Sequence, residues 1–180
     1  FQRQADISVF IDSDATISED WLLSVAYQAM EVALEGNESG HISIVLADDT
    51  TVQELNAKFR GLDEVTDVLS FSTDHPGHWQ SDTDPPPDTF VQPADAGSFT
   101  FPESDDGPPH LGEIIISLPQ ALKQADDKHT GLDRELSLLI IHGTLHLVGH
   151  DHAETAETAL MKHKEQIALD NLFPHRVNLS

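Results

Sequence analysis

The sequence predicts an α+β fold in a single domain that spans residues 1–180. Segments with the two-residue period of strands and segments with the 3.6-residue period of helices follow one another in a mixed order. The chain has 180 residues, of which 38% are apolar, and this content is enough for one hydrophobic core. We therefore expect one structural unit and no second domain.

The first half of the chain contains two predicted strands and two predicted helices. In order, they are ADISVFI, SEDWLLSVAYQAMEVALEG, HISIVLA and DTTVQELNAKFRG. The first of these segments alternates in the manner of a strand. The first helix has a Ser18 cap, repeats apolar residues from Trp21 to Leu34 and stops at Gly36, and the second helix ends at Gly61.

The second half adds two short buried strands and three helices. In order, they are DVLSF, GEIIIS, SLPQALKQADDKHTG, LDRELSLLIIHGTLHLVG and AETAETALMKHKEQIALDNLF. Ser117 can cap the first of these helices, which has Pro119 in its first turn. The next helix is long, largely apolar and ended by Gly149, and the last one is amphipathic.

A segment between the predicted strands DVLSF and GEIIIS, at about residues 74–110, has a different composition. It holds eight of the ten prolines and eight acidic residues, without any Lys or Arg. Such a stretch buries too little apolar surface to offset the entropy lost on ordering. We expect a Pro/Asp-rich mobile insertion here and assign no chemistry to it.

Composition excludes several classes of protein and site. The chain has no cysteine, so disulfides, thiolate nucleophiles and cysteine-based metal sites are excluded, and histidine and carboxylate remain as metal ligands. It lacks a run of about 18 apolar residues and a signal-peptide pattern, so we expect a cytoplasmic protein without a membrane partner.

The net charge of −23, from 32 acidic and 9 basic residues, disfavours a broad basic face that tracks nucleic acid. An acidic surface of this kind is typical of proteins adapted to high salt, where screening shortens the reach of like-charge repulsion. We treat salt adaptation as a hypothesis.

The segment IHGTLHLVGHDH predicts a metal site. His142 and His146 are one helical turn apart, Gly149 can adopt the left-handed conformation that turns the chain back, and His152 follows. H-x3-H-x2-G-x2-H is the spacing of metzincin zinc sites. Three histidines leave one position of a tetrahedral zinc open, and zinc held in this way lowers the pKa of its water toward about 7.

Gly143 disfavours a protease. Metzincin proteases carry the glutamate that activates water directly after the first histidine ligand, and this chain has glycine there. Glu113 and Glu154 do not lie at the required helical position. A zinc peptidase is therefore only an alternative.

Four segments carry a resemblance to a known family: HGTLHLVGHDH, NAKFRGLDEVTDVLSF, LGEIIIS and RELSLLIIHG. In the second of them, Asn56, Arg60, Asp63, Thr66 and the run from Val68 to Phe71 match. Together they resemble the YbeY family of bacterial metal-dependent endoribonucleases, which act in ribosomal RNA maturation. The resemblance covers most of the chain.

This resemblance implies a small mixed β-sheet flanked by helices, with the metal between the ligand helix and the following turn. It implies that His142, His146 and His152 bind one zinc ion and that Arg60 is the functional arginine near it. A guanidinium binds phosphate oxygens through two hydrogen bonds and stabilises negative charge that develops in phosphodiester cleavage. Without the resemblance, an arginine that compensates the dipole of its helix is the simpler interpretation.

The resemblance also implies the substrate and the partners. They are single-stranded ribosomal RNA, notably small-subunit RNA near its 3′ end, and the small ribosomal subunit with its proteins, in rRNA maturation and ribosome quality control; no DNA is expected. Docking on the ribosome would remove the need for a broad basic face. The sequence does not distinguish a metal-activated water from the ribose 2′-hydroxyl as the attacking group. It also does not distinguish zinc from nickel or cobalt.

Two further interpretations concern the same segment. The protein could be a non-catalytic ribosome assembly factor in which the metal only stabilises the turn, although an open coordination position favours catalysis. His150 lies two residues before the third predicted ligand, and we expect its side chain to point outward.

Overall fold

A computed structural model describes residues 2–9, 17–73, 78–79, 107–150 and 155–174 of the chain. Within these ranges the chain forms five strands and five helices in a mixed order, which confirms the α+β class. In chain order they are β1 (Arg3–Val9), α1 (Glu19–Ala33), β2 (Gly40–Ala47), α2 (Asp49–Arg60), β3 (Val68–Ser72), β4 (His78–Trp79), β5 (His110–Ser117), α3 (Leu118–Asp127), α4 (Leu132–Leu147) and α5 (Thr155–Leu172).

Every predicted strand and helix is present, and one strand was not predicted. Strand β4 has two residues and lies inside the proline-rich segment, where no apolar period marks it. Residues 74–77 and 80–106 of that segment lie outside the described residues, so the expectation of a mobile insertion there stays a prediction.

The strands form one mixed sheet in the order β1-β2-β5-β3-β4. The first three strands are parallel, while β3 runs antiparallel to β5 and β4 antiparallel to β3. The parallel pair β1 and β2 needs a crossover connection, which α1 provides. The small mixed sheet that the resemblance implied is therefore confirmed.

The two faces of the sheet are covered by different helices. Alternate residues along a strand point to opposite faces. The side chains that pack toward α1, α3, α4 and α5 are Ile42, Ile44, Leu46, Val68, Ile114 and Ile116. Those that pack toward α2 are Val45, Ala47, Leu69, Phe71 and Ile115.

The C-terminal ends of α2 and α4 reach the same end of β3 from these opposite faces. Phe59, in the last turn of α2, makes an edge-to-face contact with Phe71 at a centroid distance of 5.3 Å. Ser72 donates a hydrogen bond from its hydroxyl to the Leu147 carbonyl at the end of α4, at 2.9 Å. Because Phe71 and Ser72 are neighbours, both helix ends lie beside one point of the sheet.

Several helix ends lie at residues that the sequence indicated, although α1 ends at Ala33, before the predicted stop at Gly36. Ser18 and Ser117 cap α1 and α3 by accepting backbone N–H bonds, and Gly61 ends α2 in the left-handed conformation. Helix α4 ends just before Gly149, which has a φ of 95°. Among the helices in the described ranges, none combines the length and the apolar character that crossing a membrane requires.

Candidate metal centre

His142 and His146 lie side by side on α4, one turn apart, as their spacing predicted. Their imidazole rings are 4.5 Å apart between centroids and nearly perpendicular, at 78°. Their Nε2 atoms approach to 2.9 Å. The helix thus directs the same nitrogen of both rings to one point.

The other nitrogen of each ring is held by a hydrogen-bond acceptor. Nδ1 of His146 donates to the backbone carbonyl of His150 at 2.8 Å, and Nδ1 of His142 donates to Oε1 of Glu165 at 2.6 Å. A carbonyl and an ionised carboxylate can only accept, so both Nδ1 atoms must carry their proton. In the neutral rings, both Nε2 atoms then present lone pairs to each other.

Two facing lone pairs at this distance repel unless a cation or a shared proton lies between them. The rings are also sheltered from water: His146 is 2% exposed, and the His142 side chain 17%. Screening is weaker at such a site than at the surface. The donor set therefore fits a metal ion that accepts imidazole nitrogen, such as zinc.

The third predicted ligand, His152, lies in residues 151–154, outside the described residues. Among the residues that are described, no cluster of three His, Asp or Glu side chains could hold a metal ion. The pair His142 and His146 is thus the described part of the site, and His152 stays a prediction.

His150 contributes to the site through its backbone, which the sequence did not indicate. Its side chain is half-buried, and the expectation that it points outward stays a prediction. Burial lowers the pKa of His150, Lys164 lowers it further, and Glu35 opposes the shift. The His150 side chain therefore lies within electrostatic range of Lys164 on α5 and of Glu35, two residues after the end of α1.

Gly143 faces the sheet and not the histidine pair. A Cβ atom at this position would lie 3.0 Å from Cγ2 of Ile114 and 3.1 Å from the hydroxyl of Ser70. The glycine lets α4 pack closely on β5 and β3. A glutamate in its place would force these neighbours to shift, so the packing at position 143 disfavours the protease base.

Arg60 is the last residue of α2 and is partly buried. It follows Phe59, which contacts β3 at the end where α4 also finishes. Arg60 and the histidine pair therefore belong to helices that meet the same end of the sheet, although the two helices lie on opposite faces. This proximity of the helix ends could not be read from the sequence, because 81 residues lie between Arg60 and His142.

Glu165 is the site residue that sequence reasoning missed. Met161, Ala168 and Leu169 are buried on α5, and Glu165 falls on the same helix face because it follows Met161 by four residues. Its side chain is only 14% exposed. The available signal was a carboxylate at helical spacing from the apolar residues Met161, Ala168 and Leu169.

A family model described as Endoribonuclease YbeY matches residues 9–172. The chain belongs to the endoribonuclease YbeY family. This confirms the resemblance noted in the sequence.

Relatives named endoribonuclease YbeY match most of the chain. The relative from Dehalococcoides mccartyi is 38% identical over 156 residues, covering 87% of this chain and 88% of its own. Those from Moorella thermoacetica and Brevibacillus brevis are 35% and 33% identical, covering 93% and 84% of this chain and 91% and 87% of theirs. The solution structure of TM1509 from Thermotoga maritima shares the fold, with a TM-score of 0.54 at 21% identity over 93% of this chain and 88% of that one.

Membership of the YbeY family makes the chain a nuclease hydrolase with RNA as its substrate. This outcome favours the endoribonuclease interpretation over the peptidase and the non-catalytic assembly factor.

Proposed function

We propose that this YbeY-family chain is a metal-dependent endoribonuclease that cleaves single-stranded RNA. In this proposal His142, His146 and His152 bind one zinc ion, and Arg60 binds the phosphate that is cleaved. The observation that carries it is the 2.9 Å approach of the His142 and His146 Nε2 atoms, with both Nδ1 atoms held by acceptors.

The histidines have one task, which is to hold the metal in a fixed position. Their Nδ1 hydrogen bonds keep the rings from rotating, and α4 holds them one turn apart. When bound, zinc supplies Lewis acidity toward phosphate oxygen and a lowered pKa for a coordinated water. His146, almost fully buried, anchors the inner side of the site.

Arg60 would bind and orient the scissile phosphate. Its guanidinium can donate two parallel hydrogen bonds to phosphate oxygens. It would thereby stabilise the additional negative charge of the transition state. The meeting of the α2 and α4 ends beside Phe71 and Ser72 supports this role.

The natural substrate that we propose is small-subunit ribosomal RNA near its 3′ end, in rRNA maturation and ribosome quality control in the cytoplasm. With a net charge of −23, the chain needs help to approach RNA. Small-subunit proteins would provide the docking surface, and positive charge would be concentrated at the metal and Arg60.

The test is cleavage of a labelled single-stranded RNA by zinc-loaded protein, alongside the variants His146→Ala and Arg60→Ala. We expect His146→Ala to reduce cleavage to background and Arg60→Ala to reduce the rate by about 100-fold or more. Matched controls are His163→Ala, an exposed histidine on α5, and Lys123→Ala, an exposed cation on α3, which should both cleave like the parent protein.

Three results would contradict the proposal. Cleavage that persists in both His146→Ala and Arg60→Ala would come from a contaminant, and casein hydrolysis would restore the peptidase. RNA that is bound but never cleaved would favour the assembly factor. The product identifies the attacking group, because a 2′,3′-cyclic phosphate requires attack by the ribose 2′-hydroxyl.

A further inference from the structure

We infer that Glu165 is a positioning residue of the metal site, which it serves from a different helix. Its carboxylate accepts the Nδ1 proton of His142 at 2.6 Å and so keeps the Nε2 lone pair of that ring directed at His146. This inference rests on the proposed function, since it assumes that the histidine pair binds metal.

The burial of Glu165 argues for a specific role. The carboxylate lies on the same face of α5 as Met161, Ala168 and Leu169, which pack in the core. Moving a carboxylate out of water is costly unless it is paired and hydrogen-bonded. The partner here is His142, whose side chain is also largely buried. An exposed carboxylate could pair with a histidine without this desolvation cost. The buried position of Glu165 is therefore better explained by a role in orienting the His142 ring.

The two histidines are held in different ways, and this difference makes the inference testable. The acceptor for His146 is a backbone carbonyl, which no side-chain substitution at position 150 removes. The acceptor for His142 is a side chain 23 residues further along the chain. A change at Glu165 therefore releases His142 and leaves the Nδ1 hydrogen bond of His146 intact.

Losing this acceptor would have two effects on His142. The ring could rotate or exchange its protonated nitrogen, so that part of the population would present an N–H to the ion. The ring would also lose the negative charge of the Glu165 carboxylate. That charge raises the basicity of the imidazole and so strengthens it as a metal ligand. Both effects weaken metal binding without removing a ligand.

The experiment measures zinc affinity by competition with a chromophoric chelator, without any RNA. We expect Glu165→Ala to bind zinc about 10- to 100-fold more weakly than the parent protein. Glu165→Gln should lose less, because an amide oxygen still accepts the proton but carries no charge. Glu157→Ala, at an exposed position in the first turn of α5, is the matched control and should bind like the parent.

Two further readouts separate positioning from a general effect on folding. The visible absorption of the cobalt-substituted protein should change in Glu165→Ala, because the ligand field at His142 changes. The thermal unfolding midpoints of the metal-free forms identify any variant that folds poorly. If Glu165→Ala does not fold, the near-isosteric Glu165→Gln provides the test. A zinc affinity and a cobalt spectrum that both match those of the parent protein would then overturn the inference.

His146→Ala separates this inference from the proposed function. If it loses zinc while both Glu165 variants keep the affinity of the parent, the metal site stands and the role of Glu165 is wrong. If His146→Ala binds zinc as tightly as the parent, the metal site itself is wrong, and the inference falls with it.

Discussion

At the scale of single residues, Gly143 is explained by packing as well as by chemistry. In the sequence it matters because it is not the glutamate of a protease. In the structure it matters because α4 lies so close to Ile114 and Ser70 that a side chain would crowd them. Position 143, directly after His142, therefore faces the sheet, and the catalytic groups of the metal site have to come from other residues.

A second residue-scale feature is Glu113, in the middle of β5, where burial raises the pKa of its carboxyl. The folded protein thus holds this proton to a higher pH than the unfolded chain does. The sign follows: the stabilising contribution is present at low pH and is lost as the pH rises through the raised pKa. Near neutral pH the ionised carboxylate costs stability.

We predict that Glu113→Gln raises the thermal unfolding midpoint at about pH 7.5, by roughly 1–3 °C for a chain of this size. At about pH 4, where the carboxyl is protonated in both states, the gain should vanish. Glu54→Gln, at an exposed position of α2, is the control and should show little change at either pH. An equal gain at both pH values would show that ionisation is not the cause.

At the scale of elements, Ser117 joins two helices at the end of β5. Its hydroxyl accepts the Gln120 N–H as the cap of α3 and donates to Oδ1 of Asp49, in the first turn of α2, at 2.6 Å. Gln120 also donates to Asp49 through its side chain. One buried hydroxyl therefore links helices that cover opposite faces of the sheet.

We predict that Ser117→Ala destabilises the protein by about 1–3 kcal/mol, because the cap is lost and a bond to a carboxylate is removed. Chemical denaturation followed by circular dichroism measures this change. Ser24→Ala, exposed within α1, should be neutral or slightly stabilising, since alanine has the higher helix propensity. An unchanged free energy of unfolding in Ser117→Ala would show that the hydrogen bonds of the Ser117 hydroxyl do not contribute to stability.

At the scale of the whole molecule, the net charge of −23 acts against the compact state. The repulsion between exposed carboxylates is screened over about 10 Å at 0.1 M salt but only about 3 Å at 1 M. Arrangements such as the His142–Glu165 contact, where both side chains are largely buried, should depend on salt much less.

We predict that raising KCl from about 0.1 M to about 2 M increases the thermal unfolding midpoint by roughly 5–10 °C, because screening relieves this repulsion. A non-ionic osmolyte at equal osmolality is the control, since it acts by exclusion from the surface and not by screening. A midpoint that is independent of KCl would end the hypothesis of salt adaptation.

The local sequence predicts most of this fold. Apolar periods and caps such as Ser18 and Ser117 marked the helices and the longer strands, because these signals act within a single element. The two-residue strand β4 could not be predicted, because it is too short to show a period and is defined only by its pairing with β3 in the folded sheet. The histidine pair could be predicted because helical geometry places residues four apart on one face.

The other features of the site depend on packing between elements. The contact of Glu165 with His142, the orientation of Gly143 toward the sheet and the meeting of the α2 and α4 ends all join residues that are distant in sequence. Their arrangement follows from how the apolar faces of the helices pack on a twisted mixed sheet, which no local pattern encodes. The amino-acid sequence was therefore sufficient for every element except β4, for the family and for two candidate ligands one helical turn apart, whereas packing determined what orients those ligands and what lies beside them.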